Sequence, residues 1–217
     1  MRIKYEIICF SFFIIFLTTN YSFTQEYQEF DTLSRNDFII HGGVGLGLCA
    51  FKHNDPNSEA LLTTSRIIDL GASYFIAEKI YIGFTYNRLA FANNLDSSES
   101  ARCNLLGLTI RYQTLKGAKT NIYVGLTTGT SSFKYKDLTT NTYATAGSIF
   151  LEPNIGFTHF WGKRIGMFIQ SSYFYTKYNK IVNKDNEPLG VIINGKKENL
   201  WLSFSGMKLQ SGLLFKF

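Results

Sequence analysis

Beyond its opening residues the chain has no apolar run long enough to cross a bilayer as a helix, which takes roughly 20 consecutive residues. That excludes a helical anchor in the rest of the chain. The opening stretch is itself too short for one. Arg2 and Lys4, the apolar segment Ile7 to Leu17 and the small-x-small step Ser22-Phe23-Thr24 read as a secretory signal over residues 1–24, cut before Gln25. Cysteine is scarce, with three in 217 residues. Cys9 lies inside the signal, ahead of most of its apolar stretch, which excludes a lipid-bearing cysteine. Cys49 and Cys103 remain after processing. In an oxidising compartment they could pair, but their predicted strand ends are not neighbours, and free thiols are the plainer alternative. Acid is in deficit: 22 Lys and Arg against 16 Asp and Glu give +6, or +5 once Arg2, Lys4 and Glu6 are removed. So modest a basic balance gives no sign of a nucleic-acid partner. Internal repeats beyond hairpins, and low-complexity segments, are absent.

What is present is alternation with period two. In the last segment Met207, Leu209, Leu213, Phe215 and Phe217 share one face, and Lys208, Gln210, Gly212 and Lys216 the other. The same pattern recurs along nearly the whole chain, and the polar face is rich in glycine. Phe38, Ile40, Val44, Leu46 and Leu48 oppose His41, Gly43, Gly45 and Gly47. Leu106, Leu108, Ile110 and Tyr112 oppose Gly107, Thr109 and Arg111. A sheet that is apolar outside and polar or small inside is a transmembrane β-barrel. The glycine run Gly42 to Gly47 is no phosphate cradle, because it lies within a strand and opens no helix.

Eight strands follow, near residues 37–49, 64–76, 80–87, 102–113, 122–127, 146–159, 165–176 and a last one ending at Phe217. The fold predicted is all-β, an eight-stranded antiparallel up-and-down transmembrane β-barrel over residues 37–217, preceded by a periplasmic segment 25–36. The connections alternate in length. Residues 50–63, 92–101, 136–145 and 177–199 are long and polar, whereas Ala77-Glu78-Lys79, Lys116-Gly117 and Trp161-Gly162-Lys163 mark short turns. Long loops face outward from the cell and short turns face the periplasm, and an even strand count places both termini in the periplasm. Outward aromatics fall into two belts, as amphipathic rings at a lipid–water boundary should. Phe38, Tyr74, Tyr112, Trp161, Phe215 and Phe217 form one, and Tyr86, Tyr173, Tyr175 and Trp201 the other. Two places break the pattern. Apolar parity shifts to Leu200, Leu202 and Phe204, which predicts a bulge near Ser205-Gly206. Pro153 removes a ladder donor from a closed sheet, which predicts a second.

With these features and the terminal Leu213-Leu214-Phe215-Lys216-Phe217, the chain resembles the small outer-membrane β-barrel family: OmpA/OmpX-type barrels and the porin-family or PorT-like proteins of Bacteroidetes. Pro153-Asn154-Ile155-Gly156-Phe157 is similar to a Pro-x-x-Gly-aromatic segment often seen there. The resemblance implies the outer membrane of a Gram-negative bacterium, an assembly signal at Phe215 and Phe217 read by the barrel-assembly machinery, and no cofactor. It implies no single activity, since members are variously structural, adhesive or linked to secretion.

An eight-stranded barrel is just wide enough to be filled by side chains. Inward His41, Asp69, Arg111, Glu152, Gln170 and Lys208 are expected to meet there as a polar network, with Arg111 and neighbouring cations holding Asp69 and Glu152. The role expected is that of a monomeric, plugged barrel with a structural or surface-interaction function. A narrow solute channel is the alternative, and an outer-leaflet lipid-modifying enzyme the third reading. Chemistry of the third kind needs a nucleophile or water beside a histidine base. The His-x-Ser motif of lipid A deacylases is absent, and only His53, near Asp55 and Ser58, falls at the outer-leaflet level. Loop 177–199 carries Lys177, Lys180, Lys184, Lys196 and Lys197 with Asn194-Gly195 at a turn. It is expected to extend the last two strands as a protruding hairpin near lipopolysaccharide phosphates, with an edge a surface partner could join.

Overall fold

The computed structural model describes residues 33–55, 61–91, 99–137, 142–193 and 195–217. The expected signal, residues 25–32, Ser58 and Asn194 lie outside the described residues. Among the described residues ten strands are formed: β1 (Phe38–His53), β2 (Leu61–Phe75), β3 (Ile80–Phe91), β4 (Glu99–Lys116), β5 (Thr120–Asp137), β6 (Thr142–Phe160), β7 (Ile165–Tyr178), β8 (Gly190–Ile193), β9 (Lys196–Asn199) and β10 (Leu202–Lys216). Eight of them close an antiparallel barrel in the order β1-β10-β7-β6-β5-β4-β3-β2, while β8 and β9 make a separate two-stranded hairpin. Among the described residues no helix is long and apolar enough to cross a membrane.

The wall follows from the alternation. Leu46, Leu108, Phe84 and Ile149 are 67%, 57%, 64% and 76% exposed, although each is strongly apolar. Their strand neighbours point inward and are buried or half-buried. A surface of this composition is stable only against lipid. The short turns are closed by the backbone: Ile80 N–H donates to Ala77 O, Gly117 N–H to Thr120 O and Trp161 N–H to Ile165 O. The ends are tied together as well, with Phe217 N–H on Phe38 O at 2.8 Å and Lys216 Nζ 3.2 Å from Asp37 Oδ2.

The strands run further than the sequence pattern suggests. β1 has 16 residues, which at about 3.3 Å each and a tilt near 40° stand ~40 Å along the membrane normal, more than an apolar band of about 25 Å. Hydrophobic alternation ends where lipid ends, but the hydrogen-bonded ladder continues into water. The effect is largest at β5 and β6, paired out to Asp137 and Thr142, so the long loop expected over 136–145 is mostly strand.

Neither predicted bulge is present. β10 pairs with β1 without a break from Leu202↔His53 to Lys216↔Ile39, and equally evenly with β7. Parity does not change at Ser205-Gly206. What changes is the lumen, which is polar at Lys208 and Gln210 but apolar at Phe204 and Leu202, all four inward. Pro153 sits outward in an unshifted register against β5, and the β6–β7 ladder simply skips Glu152 and Pro153 before resuming at Asn154↔Ser172. The irregularity lies elsewhere, between Gln113 and Leu115 on β4. There the Thr114 hydroxyl donates to Ile122 O at 3.1 Å.

Loop 177–199 does not prolong β7 and β10. β8 and β9 pair with each other, and Gly195 takes the positive φ of 77° that a tight hairpin turn requires. The loop's first half folds back over the barrel. Val182 exchanges backbone hydrogen bonds with Thr145 of β6, both at 2.9 Å, and Ile181 is buried.

Candidate functional site

The lumen brings chemistry together from all eight wall strands, and it is layered. At the loop end an aromatic cap is built around Phe204. Phe51, Phe133 and Phe91 lie 4.1, 5.0 and 5.6 Å from it by ring centroids, and Tyr178 meets it edge-on at 5.6 Å. Cys49 and Cys103 belong to this cap as buried free thiols. Cys103 Sγ is 3.2 Å from Ser131 Oγ and 3.3 Å from Tyr178 OH, and Ser131 and Tyr178 also bond each other. At the turn end Leu33, Ile39, Phe75, Tyr81, Tyr123, Phe160, Phe168 and Leu214 form a second apolar cluster. Leu33 is supplied by the segment before β1, where Ser34 N–H donates to Asp37 Oδ2 at 2.6 Å.

Between the caps lies a polar belt. His41, Asp69, Arg111, Glu152, Gln170 and Lys208 are all buried within it, none more than 7% exposed. Their pairing differs from the expectation in one respect. Glu152 is held by Lys208, whose Nζ donates to Oε2 at 2.6 Å. Asp69 accepts from Asn87 Nδ2 at 3.0 Å and faces His41 Nε2 at 3.5 Å. Among the described residues no carboxylate forms an ion pair with Arg111. Its Nη2 donates to Gln170 Oε1 at 2.9 Å, and its guanidinium lies 5.0 and 5.7 Å from the ring centroids of Tyr123 and Tyr81. The planar, delocalised cation suits aromatic faces. Arg111 is thus a cation in an aromatic slot rather than the clamp on Asp69 and Glu152.

Three further residues carry the belt. Asn87 Oδ1 accepts from Lys208 Nζ at 2.9 Å and from Gln210 Nε2 at 2.8 Å, while its amide nitrogen serves Asp69. Gln170 Oε1 accepts from Tyr123 OH at 2.9 Å as well as from Arg111, and its Nε2 donates to Gln210 Oε1 at 3.3 Å. One connected network therefore runs from Tyr123 through Gln170, Gln210 and Asn87 to Asp69 and Glu152. Inward parity alone marks Asn87, Gln210 and Tyr123; their hub roles depend on the barrel's closure, which sets β3, β5 and β10 face to face across the lumen. Glycine makes the room. A Cβ at Gly125 would stand 2.5 Å from Arg111 Cγ, and at Gly71 it would collide with the His41 ring. A cavity of about 20 Å³ beside Arg111, His41, Ser73 and Thr158 is large enough for one water molecule.

The three histidines lie apart in the barrel. His41 is locked beside Asp69, and His159 Nδ1 bonds Thr120 Oγ1 at 2.9 Å near a short turn. His53 Nδ1 accepts from Asp55 N–H at 3.2 Å, and Ser58 is outside the described residues. Among the described residues no cluster of three His, Cys, Asp or Glu side chains could hold a metal ion.

Comparison with solved structures decides the fold. The outer membrane protein OprG of Pseudomonas aeruginosa is 16% identical with a TM-score of 0.53, over 86% of this chain and 98% of that one. Neisserial surface protein A is 13% identical with a TM-score of 0.55, over 83% and 97%. The fold is that of the small outer-membrane β-barrels. The outer membrane protein AlkL, determined in lipid bilayers, is a third neighbour at 12% identity and a TM-score of 0.53, over 89% and 96%. No family model matches the chain, and no curated protein does.

Proposed function

We propose that this chain is an integral outer-membrane barrel with a sealed lumen, acting as a structural or surface-interaction protein. The observation that carries the reading is the three-layer filling: two apolar caps enclose a buried ionic belt, so a solute would have to displace both. Long loops at the Phe204 end and short turns at the other support an orientation with both termini in the periplasm and the β8–β9 hairpin at the cell surface. Leader cleavage before Gln25, kinship with the PorT-like proteins of Bacteroidetes, and recognition of Phe215 and Phe217 by the barrel-assembly machinery belong to the same proposal. Phe215 and Phe217 are well exposed on the outer wall at the chain's end, where a docking protein can reach them. The lysines of loop 177–199 suit lipopolysaccharide phosphates, and the exposed edge of β9 suits a surface partner.

Planar-bilayer recording tests the reading. The purified barrel should insert silently. Steady conductance in the parent would replace this proposal with the narrow-channel reading, and a change in lipid A mass on deleting the gene would replace it with the enzyme reading. A pull-down of surface partners with and without residues 177–199 tests the interaction role.

A further inference from the structure

The outer wall has an asymmetry of charge that the lumen does not explain. Among the described side chains no Asp or Glu occupies an outward position on β1 to β7 or β10; Asp69, Asp137 and Glu152 all point inward and are buried. Outward bases, by contrast, cluster on the loop-side half of β2 to β5. Register places Arg66 opposite Ala90, Ala90 opposite Arg102, and Arg102 opposite Lys134, so three cations share one cross-strand row. Arg88 is opposite Ile68 and Asn104, one step along, which makes it the diagonal neighbour of both Arg66 and Arg102. Like charges directly opposite each other destabilise a sheet, and arginine on the lipid face costs more the deeper it lies. Among the described residues no carboxylate forms an ion pair with Arg66, Arg88 or Arg102. An external anion between the side chains would relieve that repulsion.

The neighbouring surface adds a second requirement. Arg66 and Arg88 border an open groove of about 940 Å³ whose floor is made by Val44, Leu46, Ile68 and Leu209, across β1, β2 and β10. Water has no favourable role on such a floor, whereas an acyl chain has. Arginine's fork matches phosphate oxygens in pairs. We infer that Arg66, Arg88, Arg102 and Lys134 with the adjoining groove form a binding site for a phosphorylated, acylated lipid of the outer leaflet, phosphate on the cations and one acyl chain along Val44, Leu46 and Leu209. The leaflet assignment rests on the orientation proposed above.

Native mass spectrometry of the detergent-solubilised full barrel, titrated with lipid A, dephosphorylated lipid A, phosphatidylglycerol, phosphatidylcholine and inorganic phosphate, tests it. Lipid A should be retained and its dephosphorylated form released. With about fivefold in affinity for each basic residue near a lipid phosphate, R66Q/R88Q/R102Q should bind lipid A about a hundredfold more weakly, and the corresponding lysine variants should keep most of the binding. Heat-modified gel mobility identifies variants that still form the barrel. Equal retention of both lipid A forms, unchanged binding by the folded triple variant, or a preference for free phosphate overturns the site. Retention of phosphatidylglycerol but not lipid A, with the same arginine dependence, overturns the outer-leaflet assignment. Conductance by the parent bears on the sealed-lumen reading alone.

Discussion

Replacing Lys208 by methionine isolates the ionic belt. The change keeps an unbranched chain of similar length but removes an ammonium that is 1% exposed, 2.6 Å from Glu152 Oε2 and 2.9 Å from Asn87 Oδ1. Asn87 Oδ1 keeps its bond from Gln210, so it loses little. Glu152 is left buried without its cation, which typically costs 3–5 kcal/mol. Lys208→Met should therefore lose about 3–5 kcal/mol at pH 7. Adding Glu152→Leu should recover most of it, as paired buried ions are often replaceable by well-packed apolar groups. Reversible urea unfolding in lipid vesicles, followed by the fluorescence of Trp161 and Trp201, gives the free energies. A loss below about 1 kcal/mol at pH 7, or a double variant no better than the single one, would refute a desolvated ion pair.

Leu108→Arg, on the lipid face, should destabilise by about 2–4 kcal/mol, whereas Thr109→Ser should be nearly silent because it keeps the inward hydroxyl that accepts from Thr127 at 3.0 Å; the same unfolding assay reads both, and reversed sensitivities would invert the wall. Arg111→Ala should lower thermal stability, for it strips the cation from between Tyr81 and Tyr123 and leaves a polar hole, and circular-dichroism melting should show Arg111→Lys falling between it and the parent. Phe204→Ala removes the centre of the loop-side cap and should cost about 3–5 kcal/mol without creating steady conductance, because the polar belt beneath stays closed; a conducting variant would make the cap the only seal. The unheated parent should run anomalously on gels and give a β-type circular-dichroism spectrum, and a helical spectrum would end the barrel reading.

Much of the fold was legible because a lipid-facing wall obeys one strict rule. Leu46, Leu108 and Ile149 are outward because the period-two pattern leaves them no other place, and the inward glycines and ionic residues follow by parity. The pattern failed where the solvent on either face changed. Leu202 and Phe204 look like a parity shift only if the lumen is taken as polar throughout; the interior turns apolar while the ladder runs on. The strand extensions at β5 and β6 were invisible because beyond the lipid the outward face turns polar, as at Ser132, Lys134 and Lys136, and the alternation loses its apolar marker while Phe133 and Ala144 still turn into the cap. The six lumen residues could be named but not paired. Whether Glu152 finds Lys208 or Arg111 depends on stagger across the barrel, which no single strand encodes, and Asn87 and Gln210 look like ordinary inward polar residues until closure makes them a bridge.

Closure has a temporal side. The seam of the barrel joins β1 to β10, the first and last strands of the wall. Every other neighbouring pair could zip up as a local hairpin or across one loop, but this ladder requires the whole chain. Until β10 arrives, β1 and β7 present bare edges of backbone donors and acceptors, which lipid cannot satisfy. Each partly made barrel is therefore unfit for the bilayer, and the chain has to be held unfolded and delivered entire. A truncation before Leu202 would yield no smaller barrel, only two raw edges open to aggregation. The wall is an all-or-none object, and its last strand is the one that decides.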